Sequence, residues 1–249
     1  MSKRRKLLCA PEPAAPNHEP AKRHLSPREN ADADRLMRAG YLLANEREFG
    51  KACEVWLSLW DRFKEALRSR GIRGVHWYDA SGDGPPGRPP GPDDIFEGEE
   101  FFFNWCQDLE EALGNASRVE DPSWWPRALR YCEDFQDVLP LSDEDILVNM
   151  GTLEAQALNG LGRFEEAEAR LETLTQRHPG SAWAWTCWGD RWAGEADWGG
   201  PHDSGRARAI YERGLAASGD DDPDMLRERL EALRDRGRGS SLGFGADTT

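Results

Sequence analysis

Apolar residues recur along most of the chain at three- and four-residue intervals, and no stretch alternates apolar with polar as a strand would. The clearest segment is GRFEEAEARLETLTQRHP, residues 162–179, where Phe164, Ala167, Leu171 and Leu174 stand three, four and three apart. The same spacing returns at Phe49, Ala52, Trp56 and Leu59, at Trp125, Ala128, Cys132 and Phe135, and more weakly at Ser204, Ala207, Tyr211 and Gly214. Each series is one face of a helix, with a small residue where a neighbouring helix comes close. A further helix precedes each series. Its inward positions are Leu36, Gly40 and Leu43, then Trp105, Leu109 and Ala112, then Gly151, Ala155 and Leu158, then Trp185, Gly189 and Trp192. The pattern predicts an all-α chain built from helical pairs.

Segments without this pattern divide the chain. Residues 1–30 are rich in Pro, Ala and charge, and read as a disordered basic tail. A first helical pair is expected over 31–70. A Gly/Pro-rich linker over 71–98 contains DASGDGPPGRPPGPDD, in which Pro blocks helix and strand alike. Helical repeats and a capping helix are expected over 99–236, and a second disordered tail over 237–249. Ser142, with Asp145 three residues on, suggests an N-cap. Asp222 before Pro223 suggests another, and Gly237 a helix stop.

The four units form a repeat. Ala52, Ala128, Ala167 and Ala207 lie 76, 39 and 40 residues apart, and Pro140 and Pro179 each follow an alanine of the series by twelve. The first gap contains the Gly/Pro segment; the others fit a 34-residue period with insertions near 114–123 and 193–203. This pattern resembles the tetratricopeptide repeat, best in the third unit through Ala155, Leu158, Gly162, Phe164, Ala167, Leu171, Leu174 and Pro179. That unit departs from it at Gly151 and Glu154, where a large apolar residue is usual, and the first two units are degenerate. The resemblance covers roughly residues 33–236 without the linker, and implies a solenoid of helical pairs with a concave groove. More narrowly, FNW, RALRYCEDF and WAWTCWGD resemble the helical part of bacterial proteins that end in a Cys-rich SEC-C zinc motif. No cysteine follows Cys187, so that metal function does not carry over.

Five tryptophans fall between residues 183 and 198. Trp185, Trp188 and Trp192 share a helical face and read as core, with Gly189 admitting a neighbouring helix. Trp183 lies on another face and Trp198 reads as a loop plug. In tetratricopeptide proteins the first helix of each pair lines the groove. That register implies a peptide-binding set of Tyr41, Asn45, Asn149, Thr152, Gln156, Asn159, Trp183, Thr186 and Asp190. Amide side chains both donate and accept, so they can hold an extended peptide backbone. The plainer reading of the same residues is a solvated helix face.

Composition narrows the function classes. The chain of 249 residues carries a net charge of −14, but residues 1–30 carry seven basic against three acidic residues, leaving −18 elsewhere. An acidic body repels phosphate backbones, so nucleic acid is expected only through the basic residues between 3 and 28. No apolar run approaches the ~20 residues of a membrane span, and the leader-like start is too short, which points to the cytoplasm. Cys9, Cys53, Cys106, Cys132 and Cys187 are scattered and read as buried free thiols. No catalytic or metal motif is present, so no cofactor is expected. The first reading is a noncatalytic scaffold that binds a protein or peptide. The alternatives are an enzyme or enzyme accessory with a pocket near Cys106 and Asp108, where Glu110 and Glu111 complete an acidic cleft, or RNA association through the tail.

Overall fold

The computed structural model describes residues 25–78, 84–195, 198–199, 202–219 and 223–241, without the side chains of 237–241. Residues 1–24, Asp222 and 242–249 lie outside the description, and with them one proposed N-cap and the basic residues assigned to RNA except Arg28, which falls in the first helix. Among the described residues are nine helices of more than ten residues and no strand. They are α1 (Pro27–Asn45), α2 (Phe49–Arg70), α3 (Phe102–Asn115), α4 (Trp125–Val138), α5 (Glu144–Gly160), α6 (Phe164–Arg177), α7 (Ala182–Ala193), α8 (Ser204–Ala217) and α9 (Asp224–Ser241). Each packs on the next, α5 also touches α3 and α7, and α9 folds back on α7. One apolar core joins α1 to α6, and a second joins α5 to α9.

The first helix begins inside the expected tail. Ser26 and Glu29 form a capping box, in which the Ser26 hydroxyl accepts from Glu29 N–H and the Glu29 carboxylate from Ser26 N–H at 2.8 Å. The buried face of α1 is Ala33, Met37 and Gly40, and Leu36 and Leu43 flank it half-buried. Gly40 sets that rotation: a Cβ there would collide with the Trp56 indole, whose N–H donates to the Met37 carbonyl at 3.0 Å.

The described parts of the Gly/Pro segment, 71–78 and 84–98, are fastened to the helices as a strap. Ile72, Val75, Ile95 and Phe96 are buried. Residues 73–77 run beside 141–143, where Leu141 N–H donates to Arg73 O and Asp143 N–H to Val75 O, both at 2.9 Å. The Ser142 hydroxyl accepts from Val75 N–H at 3.1 Å, so it does not cap α5; the N-cap is Asp143, whose side chain takes Trp77 N–H and faces His76. Farther on, Arg88 forks onto Asp94, Asp93 accepts from Phe102 N–H at the start of α3, and Leu25 N–H donates to Ile95 O.

The insertion near 114–123 continues α3 as a π-helical turn, Ala116–Glu120. It delivers the Glu120 carboxylate to Phe49 and Gly50 N–H at 2.6 and 2.8 Å, capping α2 from seventy residues away. At the far end α9 passes the expected stop at Gly237 and runs to Ser241.

Most of the tryptophan cluster is packing. Trp185 and Trp188 are buried and stacked, with Arg213 over both rings, and Gly189 admits the Tyr211 ring. Trp198 is buried as a plug. Trp192 is only half-buried, with Arg206 and Arg191 lying against its ring. Phe164, expected inside, is exposed.

Candidate functional site

Helices α3, α5 and α7, the first members of three expected pairs, converge on a cavity of about 400 Å³. From α3 come Gln107, Asp108, Glu110 and Glu111; from the turn after it, Arg118; from α5, Asn149, Thr152 and Gln156; from α7, Trp183. The spacing of 107, 110 and 111, and of 149, 152 and 156, puts each set on one helical face. Trp183 is 42% exposed at the rim, a large apolar surface left open to solvent.

Of the sequence-derived groove residues, Asn149, Thr152, Gln156 and Trp183 are brought together. Tyr41 adjoins them indirectly: its hydroxyl donates to Asp108 Oδ2 at 2.7 Å. Asn45 is exposed at the end of α1 and lines no wall of this cavity. Three residues leave the groove. Asn159 is buried and donates its amide to the carbonyls of Trp198 and Gly199, pinning the plug loop. Thr186 is buried, its hydroxyl turned back to Ala182 O at 2.9 Å. Asp190 is buried and accepts from Tyr211 Oη at 2.6 Å and from Arg229 at 2.8 Å, because α9 covers the end of α7. Gln107 and Arg118 were not legible as groove residues. Gln107 lies four positions before Glu111 on the acidic face, whereas Arg118 depends on the π turn.

Charge in the cavity is unbalanced. Arg118 donates to Gln156 Oε1 at 2.7 Å and to Asn115 Oδ1 at 3.3 Å. Burial pushes the Glu110 carboxyl up to about 8, with Arg118 opposing and Glu111 adding to the rise. Burial also raises Asp108, although the Tyr41 hydrogen bond works the other way. Thr152 is 5% exposed, and its hydroxyl lies beside the Cys187 thiol without hydrogen-bonding geometry to it.

Cys106 and Asp108 do not share a pocket. Two residues along a helix is a turn of about 200°, so Asp108 meets the cavity while Cys106 is fully buried, its thiol donating to Phe103 O at 3.3 Å and held far above its usual range by desolvation. Cys53, Cys132 and Cys187 are likewise free and buried. Among the described residues no three His, Cys, Asp or Glu side chains are placed to hold a metal ion, and no helix is long and apolar enough to cross a membrane. A larger cavity, about 520 Å³, opens between α1 and α2 at Glu29, Asp32, Arg62 and Arg70, but no sequence-derived site residue lines it. Comparison with protein-family models, with curated proteins and with solved structures finds no match.

Proposed function

We propose that the chain is a noncatalytic scaffold of the tetratricopeptide type that binds an extended segment of a partner protein in the groove of α3, α5 and α7. The observation that carries this reading is the convergence of three first-of-pair helices on one cavity, with the amides Asn149 and Gln156 on the wall and Trp183 open at the rim. Partly exposed indoles at a concave wall are the usual anchors of protein interfaces. Close approaches at equivalent repeat positions, Gly40 to Trp56 and Gly189 to Tyr211, support the repeat itself. Nesting pairs of this kind create an extended concave surface.

The test is selection of displayed peptides against the full chain, followed by affinity measurement on the double variant Trp183→Ala/Asn149→Ala. Selected peptides should lose about tenfold or more in affinity, the effect of removing an interface anchor worth at least about 1.4 kcal/mol. Peptides that bind the double variant as well as the parent would place the interface elsewhere.

A further inference from the structure

Three carboxylates, Asp108, Glu110 and Glu111, meet the cavity against one guanidinium, Arg118. Arg118 is already engaged by Gln156 and Asn115, and Asp108 by Tyr41. Neither Glu110 nor Glu111 makes a hydrogen bond or ion pair with a described residue. Thr152 lines the same wall, but its hydroxyl is buried beside Cys187 and is not presented to the cavity. Trp124, Trp185, Trp188 and Trp192 each carry an arginine of the chain over the ring, at 3.8–5.2 Å from the ring centre. Trp183, which lines the acidic cavity, carries none among the described residues.

An unpaired carboxylate, Glu111, sharing a cavity with an open indole suits a planar, delocalised cation. A guanidinium can stack on the ring and still direct its edge N–H groups at carboxylates, whereas a compact ammonium ion is more strongly hydrated and lacks the fork. We infer that the groove takes an arginine side chain carried on an extended segment of a separate protein, the guanidinium lying between Trp183 and Glu111 and the backbone along Asn149 and Gln156. This rests on the peptide-binding reading above. Charge complementarity supports it: outside residues 1–30 the chain carries −18, which draws basic segments in and repels phosphate polymers. The chain's own N-terminal segment enters the described structure at Leu25, whose N–H donates to Ile95 O of the strap.

The experiment uses the full chain labelled with 5-fluorotryptophan, the Trp183 signal being assigned by Trp183→Phe and followed by fluorine NMR. Three blocked heptapeptides are titrated, identical except for a central arginine, lysine or citrulline, the last a neutral isostere. The arginine peptide should shift the Trp183 signal with a dissociation constant about tenfold below that of the citrulline peptide. Glu111→Gln should remove most of that difference, and about 0.5 M salt should weaken it. Equal binding of arginine and citrulline overturns the cation assignment and leaves the groove reading standing. A Trp183 signal that none of the peptides moves at millimolar concentration overturns both. If replacing Lys3, Arg4, Arg5 and Lys6 by serine tightens the arginine peptide about tenfold, the occupant is the chain's own tail and the separate-partner inference is overturned.

Discussion

Glu168 is the residue on which the tryptophan cluster turns. Its carboxylate accepts from the indole N–H groups of Trp188 at 2.8 Å and Trp192 at 2.9 Å, and from Arg191 and Arg206 at 2.9 and 2.6 Å. Arg191 is 2% exposed, so Glu168→Ala would strand a buried charge and two indole donors. The expected loss is about 3–5 kcal/mol by denaturant unfolding, the range for breaking a buried pair from one side. Glu168→Gln keeps one acceptor oxygen and should cost clearly less; equal losses would show that acceptor geometry contributes nothing there. Gly189 makes the complementary point about space. A Cβ at that position collides with the Tyr211 ring, whereas one at Gly180 meets nothing within 4 Å. Gly189→Ala should therefore cost about 1–3 kcal/mol through overpacking. Gly180→Ala should leave the melting temperature nearly unchanged, and a matched pair of melting curves decides it.

Between elements, what the sequence makes legible is spacing, and what it hides is partnership. Three- and four-residue periods place the helices, and the match of Gly40 to Trp56 and of Gly189 to Tyr211 follows from them. The capping box at Ser26 and Glu29 was also there to be read, but the Pro- and charge-rich composition around it masked the helix start. Helix ends elsewhere are settled by groups far away in sequence. Glu120 caps α2, Asp93 caps α3, and the Ser142 hydroxyl is claimed by Val75 N–H. The same division runs through the site. Asn149, Thr152, Gln156 and Trp183 follow from register alone. Asn159 and Asp190 are lost to the plug loop and to α9, whose docking positions helical periodicity does not give. The strap gives the sharpest test at this scale. Phe96 is buried against Phe63, with ring centres 5.5 Å apart. If residues 84–98 belong to the core, Phe96→Ala should lower the stability of the whole chain by about 3–5 kcal/mol in a single transition. A free linker would instead show faster proteolysis in the strap and an unchanged melting temperature.

At the scale of the whole molecule, burial raises several acids together: Asp108, Glu110, Glu154 and Asp190 are all held above their ordinary values by desolvation, despite the partners that oppose it. Such a group favours the fold while protonated in both states. Its contribution is complete below the unfolded value and is lost as pH rises through the folded one. For Glu110 the window runs from the ordinary 4.5 to about 8. The groups that bear on it are Arg118 and Glu111 near its own helix, Tyr131 and Cys132 on α4, and Cys187 on α7; only Arg118 favours its ionised form. Stability measured by urea unfolding should therefore fall between about pH 5 and pH 8.5. Glu110→Gln, which cannot ionise, should match the parent near pH 4.5 and exceed it by about 1–3 kcal/mol at pH 8.5, a figure reduced for the partial opening of the cavity to water. The coupling to function has the opposite sign. Ionising Glu110 adds negative charge to the groove, so an arginine peptide should bind more tightly across the same interval in which the fold weakens. Parallel stability profiles for parent and variant would mean that Glu110 titrates alike in the folded and unfolded chain, and ionising it would then give no rise in arginine-peptide affinity between about pH 6 and pH 8.5.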